Sequence, residues 1–219
     1  MFGGLRVETD LLKKLGSKEI TKTQLVKIVE SDFDLIPKLL EGISSSDARV
    51  RYGCGKVLMD LSERHPEKLY PYMDSFIELL NGKHRILVWN AMAIIANLTR
   101  VDEDSEFDAI FDKYYSYLNN EYMVTVANVV VNSAKIALAK PYLAQRITAQ
   151  LLKVQDLKVT PHLTEECKLV IAEHAIKAFD SFFNRIEAKE QVVAFAQEHL
   201  NSSRASLREE AQIFLKKWQ

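Results

Sequence analysis

The side chains best suited to hold a metal lie close together at His162, Glu165, Glu166, Cys167, Glu173 and His174. Zinc sites draw such donors from short, fixed spacings. The chain has no C-x-x-C, and on a helix Cys167 and His174 stand two turns apart. This segment therefore reads as a polar turn leading into a buried thiol. A second candidate is the acidic run Asp102-Glu103-Asp104-Ser105-Glu106-Phe107-Asp108. Calcium loops space their oxygens through a glycine and close on a bidentate glutamate, and this run does neither. It reads as a solvated linker with a helix N-cap at its end, the alternative being a docking loop for a basic partner. Glycine-rich phosphate loops, nucleophile elbows and H-E-x-x-H are all missing from the sequence. The expectation is no catalytic residue, no cofactor and no metal: a protein that is not an enzyme.

The bulk composition narrows the classes further. Of the 219 residues, 47% are hydrophobic and 27% charged, which suits a folded chain and excludes a disordered one. Lys and Arg total 29 against 30 Asp and Glu. Nucleic-acid binders draw most of their affinity from phosphate neutralisation, so a chain without basic excess is not expected to be one. Lys13, Lys14, Lys18, Lys22 and Lys27 make the N-terminal stretch locally basic, and they read as solvated. The first residues carry Arg6, Glu8 and Asp10 and lack the apolar core of a signal peptide. The longest apolar stretches, 86–98 and 124–139, are interrupted by asparagines and are too short to span a bilayer. A soluble, cytoplasmic protein with no membrane partner is expected. Cys54 and Cys167 fall three repeats apart and are not expected to bridge.

The elements that must position these residues are helical. Only 7 glycines and 5 prolines occur, and helix-period apolar patterns fill the intervals between them. One pattern repeats. Val50-Arg51-x-x-Cys54-x-x-x-Leu58-x-x-Leu61 returns as Leu87-Val88-x-x-Ala91-x-x-x-Ile95-x-x-Leu98, and at the C-terminus as Leu207-Arg208-x-x-Ala211-x-x-x-Leu215-x-x-Trp218. Weaker copies start at Thr125 and Cys167. The spacing of 37 to 42 residues suits a two-helix unit. In the fourth copy the first helix ends near Leu152, so Lys153 to Thr164 forms an insertion.

Leu35-Ile36-Pro37-x-Leu39-Leu40 followed by Asp47-x-x-Val50-Arg51 resembles the HEAT repeat signature, in which a proline-started apolar helix leads through an Asp-bearing turn into a Val-Arg helix. The resemblance covers about Asp34 to Trp218 and implies an all-α fold: a right-handed α-α superhelix of about five HEAT-like helix pairs. The pairs are expected at 33–65, 69–100, 107–139, 142–184 and 188–219, behind a helical cap over 1–31. Asn90 and Asn128 share one skeleton position and resemble the asparagine ladder of armadillo proteins. That pattern wants Trp and Asn four apart, and Trp89 is followed at that distance by Ala93. A structural role between repeats is expected for these amides.

At about 100° per residue, the side of each second helix opposite the skeleton carries Tyr52, Lys56, Met59 and Glu63, then Trp89, Ala93, Ala96 and Arg100. Ala127, Val131, Ala134 and Leu138 follow, and then Leu169, Glu173, Ile176 and Asp180. Stacked pairs turn this side toward a concave surface. Either a protein or peptide partner or a second copy fills that surface, or the side chains are simply core. On the first reading the chain is a scaffold or adaptor, with Trp89 and the small side chains as contact area and Lys56, Arg100 and Lys135 setting register at the rim. The alternative is a DNA-repair protein similar to the HEAT-like alkylpurine DNA glycosylases. They need a basic concave surface with aromatics, of which Trp89 with Arg100 is only a partial echo. The HEAT-like bilin lyases have shorter, more regular repeats than these.

Overall fold

Short 3-10 turns at Phe33–Leu35, Tyr70–Tyr72 and Pro141–Leu143 each feed a short first helix of a pair. Prolines sit at or next to these starts, where a missing N–H costs no hydrogen bond. A computed structural model describes residues 4–219 of the chain, with side chains from Leu11 onward. Its helices are α1 Gly4–Ser17, α2 Lys22–Ser31, α3 Ile36–Gly42, α4 Ala48–Arg64, α5 Pro66–Leu69, α6 Met73–Leu79 and α7 Arg85–Leu98. They continue as α8 Glu106–Ser116, α9 Met123–Ala139, α10 Ala144–Leu152, α11 Glu165–Phe182, α12 Lys189–Glu198 and α13 Ala205–Trp218. Among the described residues there is no strand, only an isolated bridge between Thr160 and Leu163. Several starts are set by side chains. Thr21 forms a capping box with Gln24, Asp47 accepts from Arg49 N, and Thr164 accepts from Cys167 N. The helices group into two compact units, one running through Glu106 and the other Phe107–Gln219.

In the first unit α4 is the hub, packed by α1, α2, α3 and α7. Its skeleton residues Val50, Cys54, Leu58 and Leu61 are buried, as are Leu87, Ala91, Ile95 and Leu98 of α7. Gly53 and Gly55 flank Cys54 for a steric reason. A Cβ at Gly53 would meet Leu15 Cδ2 at 2.8 Å, and one at Gly55 would meet Leu87 Cδ2 at 2.6 Å. Each helix-interior glycine costs about 0.5–1 kcal/mol relative to alanine, and here it lets a neighbour approach on either side of α4. Arg49 Nε also donates to Leu15 O at 2.9 Å, tying the end of α1 to α4.

The second unit is built on α9, α11 and α13 as neighbours. Val126, Val129, Ser133 and Ile136 of α9 are buried, with Ile171, Ala175 and Ala178 of α11 and Leu207, Ala211 and Leu215 of α13. α8 contributes Phe107, Phe111, Tyr114 and Tyr115, whose rings meet at centroid distances of 4.5–6.1 Å. Tyr115 donates to Ser133 Oγ, which donates on to Val129 O, so the buried hydroxyls are satisfied. The 153–164 segment is anchored to the turn between α8 and α9. Thr160 Oγ1 donates to Glu121 O at 2.7 Å, Met123 N donates to His162 O, and the His162 ring stacks on Tyr122 at 4.4 Å.

The arginine at the second skeleton position has a plain physical role. Arg51 Nη1 donates to the carbonyls of Ser45 and Ser46, and Arg208 Nη1 donates to those of Ser202 and Ser203. In both cases a guanidinium satisfies the turn that precedes its own helix.

Candidate partner-binding face

In the first unit Tyr52, Lys56 and Met59 of α4 are half-buried along one side, with Glu63 exposed beyond them. Trp89 and Ala93 of α7 are half-buried and Arg100 is exposed. Ala96 is fully buried, at 0% exposure. Its expected place on the open side is corrected: the second half of α7 packs all round, and Ala96 is core.

Arg100, although exposed, is anchored within its own unit. Its Nη2 donates to Ser62 O and Glu63 O, the last carbonyls of α4, and its Nε donates to Asn97 O. Asn97 Nδ2 donates to Ser62 Oγ at 2.9 Å, closing the clamp. Carbonyls at a helix C-terminus have no partner within the helix, and a guanidinium supplies both donors and the charge the dipole favours. Lys56 pairs with Asp60 at 2.6 Å, one turn along its own helix.

In the second unit the outer side of α9 is different. Val124 is 43% exposed, and Val131 and Leu138 are each 47% exposed, at seven-residue intervals. Ala127, Ala134 and Lys135 lie half-buried beside them. A seven-residue interval keeps side chains on one stripe of a helix, and α9 presents that stripe with small residues between the larger ones. Val124 extends the face beyond Ala127, Val131, Ala134, Lys135 and Leu138. The heptad spacing was visible in the sequence, but Val124 lies outside the skeleton window that defined the face. Asn128 does not reach another repeat: its Nδ2 donates to Val124 O of the same helix, and Asn132 Nδ2 donates to Asn128 O.

Of the corresponding positions on α11, Glu173 and Asp180 bond to α13 or to the Arg204 that precedes it. Ile176 is buried. Asp180 accepts from Lys217 Nζ and from Trp218 Nε1. Glu173, 7% exposed, accepts from Lys177, Arg204 and Ser206. Burial alone would raise its pKa, but those three hydrogen bonds outweigh it and hold the carboxyl at about 2. Glu173 is thus a structural anion at the α11–α13 contact. The other metal-ligand types nearby are also engaged, His162 with Tyr122 and Cys167 with Thr164. Cys54 is buried, which pushes its thiol up to about 12 and leaves it inert.

No protein-family model matches the sequence, and no curated protein matches it. Solved structures do. A designed armadillo repeat protein aligns at TM-score 0.59 and 16% identity, covering 100% of this chain and 96% of that one. Another, solved in complex with the peptide (KR)4, aligns at TM-score 0.60 and 14% identity, covering 100% and 95%. An engineered protein matches at TM-score 0.50 and 15% identity over 96% and 88%. The fold is an armadillo-like helical repeat. At these identities the likeness concerns the fold and leaves site chemistry to this chain's own residues. Among the described residues, no helix is long and apolar enough to cross a membrane.

Proposed function

We propose that the chain is a non-catalytic protein-interaction module that holds a partner's helix or extended segment on the exposed side of α9, the side expected to face the concave surface of the array. The observation that carries this reading is the exposed Val124, Val131 and Leu138 stripe of α9, with Ala127 and Ala134 beside it. Large apolar side chains left in water on one face mark a contact surface. Small neighbours let a partner's backbone approach closely, and Lys135 at the edge supplies a charge for register. Among solved structures of this fold, a peptide complex is compatible with such use.

The test is Val131→Glu. The variant keeps wild-type helical circular dichroism and melting while losing capture of the binding partner from the native source, or losing self-association by light scattering. A variant that unfolds would place Val131 in the core, and one that binds as before would remove α9 from the interface.

A further inference from the structure

A cavity of about 390 Å³ opens at one end of the first unit, between the α3–α4 turn and the α6–α7 turn. Its polar lining consists of Ser44, Ser45, Ser46, Arg51, Lys83 and His84, and no carboxylate lines it. Asp47, next along the chain, is occupied as the cap of α4, its Oδ1 accepting from Arg49 N at 2.8 Å. Arg51 hydrogen-bonds only through Nη1, to the two turn carbonyls, and its guanidinium lies 4.8 Å from the Tyr52 ring centroid. Its Nε is buried with no hydrogen-bond partner, and Lys83 makes no ion pair among the described residues. The field in the cavity is cationic. Burial, then the Arg51 and Lys83 charges, push the His84 imidazole below its ordinary value. α7 begins beside it with no side-chain cap, so its first turn adds dipole of the same sign.

We propose that this cavity binds a phosphate monoester dianion, with Arg51 and Lys83 supplying charge and the serines supplying hydroxyl donors. A guanidinium and an ammonium facing hydroxyls, with no competing carboxylate, is the donor set such a group requires. A neutral or cationic ligand would leave those charges uncompensated. The site is built only from residues of the first unit and does not depend on the interaction reading.

The test follows backbone amide and imidazole NMR shifts of the full chain at constant ionic strength. Inorganic phosphate is titrated in one arm, and a pentapeptide with a single phosphoserine in the other. Sodium chloride and the unphosphorylated peptide are the controls. The proposal predicts saturable shifts confined to 44–46, Arg51 and 83–87, and none in the controls. Lys83 is exposed and makes no internal bond, so Lys83→Gln keeps the fold and weakens binding about tenfold. Tighter binding of the peptide identifies a phosphorylated side chain as the ligand, and tighter binding of inorganic phosphate identifies the free ion. Shifts that never saturate, or wild-type affinity in Lys83→Gln, would overturn the site.

Discussion

On α4 and α7 the charged side chains turned away from the skeleton are committed to the protein itself, and among the described residues the one large apolar side chain that these two helices leave in water is Ile86, 45% exposed at the start of α7. Lys56 holds Asp60, and Arg100 takes the final carbonyls of α4. On α9 the same side carries Val124, Val131 and Leu138 in water. The contrast does not lie in how the helix ends are closed. Arg185 Nη1 donates to Ala137 O and Leu138 O, so α9 receives the clamp that Arg100 gives to α4. Both units solve the orphan-carbonyl problem with an arginine from the following pair. They differ in the middle of the face, where the first unit spends charges internally and the second leaves apolar surface unspent. An unspent apolar surface calls for an occupant from outside, whereas an internally paired one does not.

Substitutions can break this contrast. The largest effect is expected from Ala96→Glu. A charge forced into the core of α7 costs at least about 4 kcal/mol and unfolds the first unit, seen as lost circular dichroism. Next comes Gly55→Val, whose side chain would run into Leu87. Overpacking of this kind costs about 1–3 kcal/mol by urea denaturation. Arg100→Ala leaves the end of α4 uncapped and removes hydrogen bonds from a charged donor, a loss of about 2 kcal/mol. Val131→Glu on α9 changes stability by less than about 0.5 kcal/mol, since its side chain already meets water.

Acid sharpens the comparison within the second unit. Glu173 sits at about 2 in the folded chain, against roughly 4.3 when unfolded. A depressed carboxyl stabilises the fold fully above its unfolded pKa, and that contribution drains away as pH falls toward the folded one. The melting advantage of the wild type over Glu173→Gln should therefore be present at neutral pH and shrink between roughly pH 4.3 and pH 2. An advantage that stays constant over that range would mean that Glu173 is not a paired anion.

The repeating apolar skeleton was legible in the sequence because burial recurs at helical period, and its residues on α4, α7 and α13 lie in the cores of their units, with Trp218 half-buried. The outer face was less legible. Helical geometry says which side opposes the skeleton but not what packs there. Ile176 is buried, Glu173 is held by Arg204 and by Ser206 of α13, and Ala96 is enclosed as well. The anchoring of Arg100 was not legible because the carbonyls it reaches are 37 and 38 residues away in sequence. The Ser44–Ser46 and Lys83–His84 cavity left no local pattern, since its two turns come from different repeats.

The central claim is that α9, not α7, carries the contact surface. It is tested most directly by placing a photo-crosslinking amino acid at Val131 in one variant and at Ala93 in another, and irradiating each in its native source. The account predicts adducts of higher mass from position 131 and few from position 93. Equal adducts from both, or adducts from 93 alone, would contradict it.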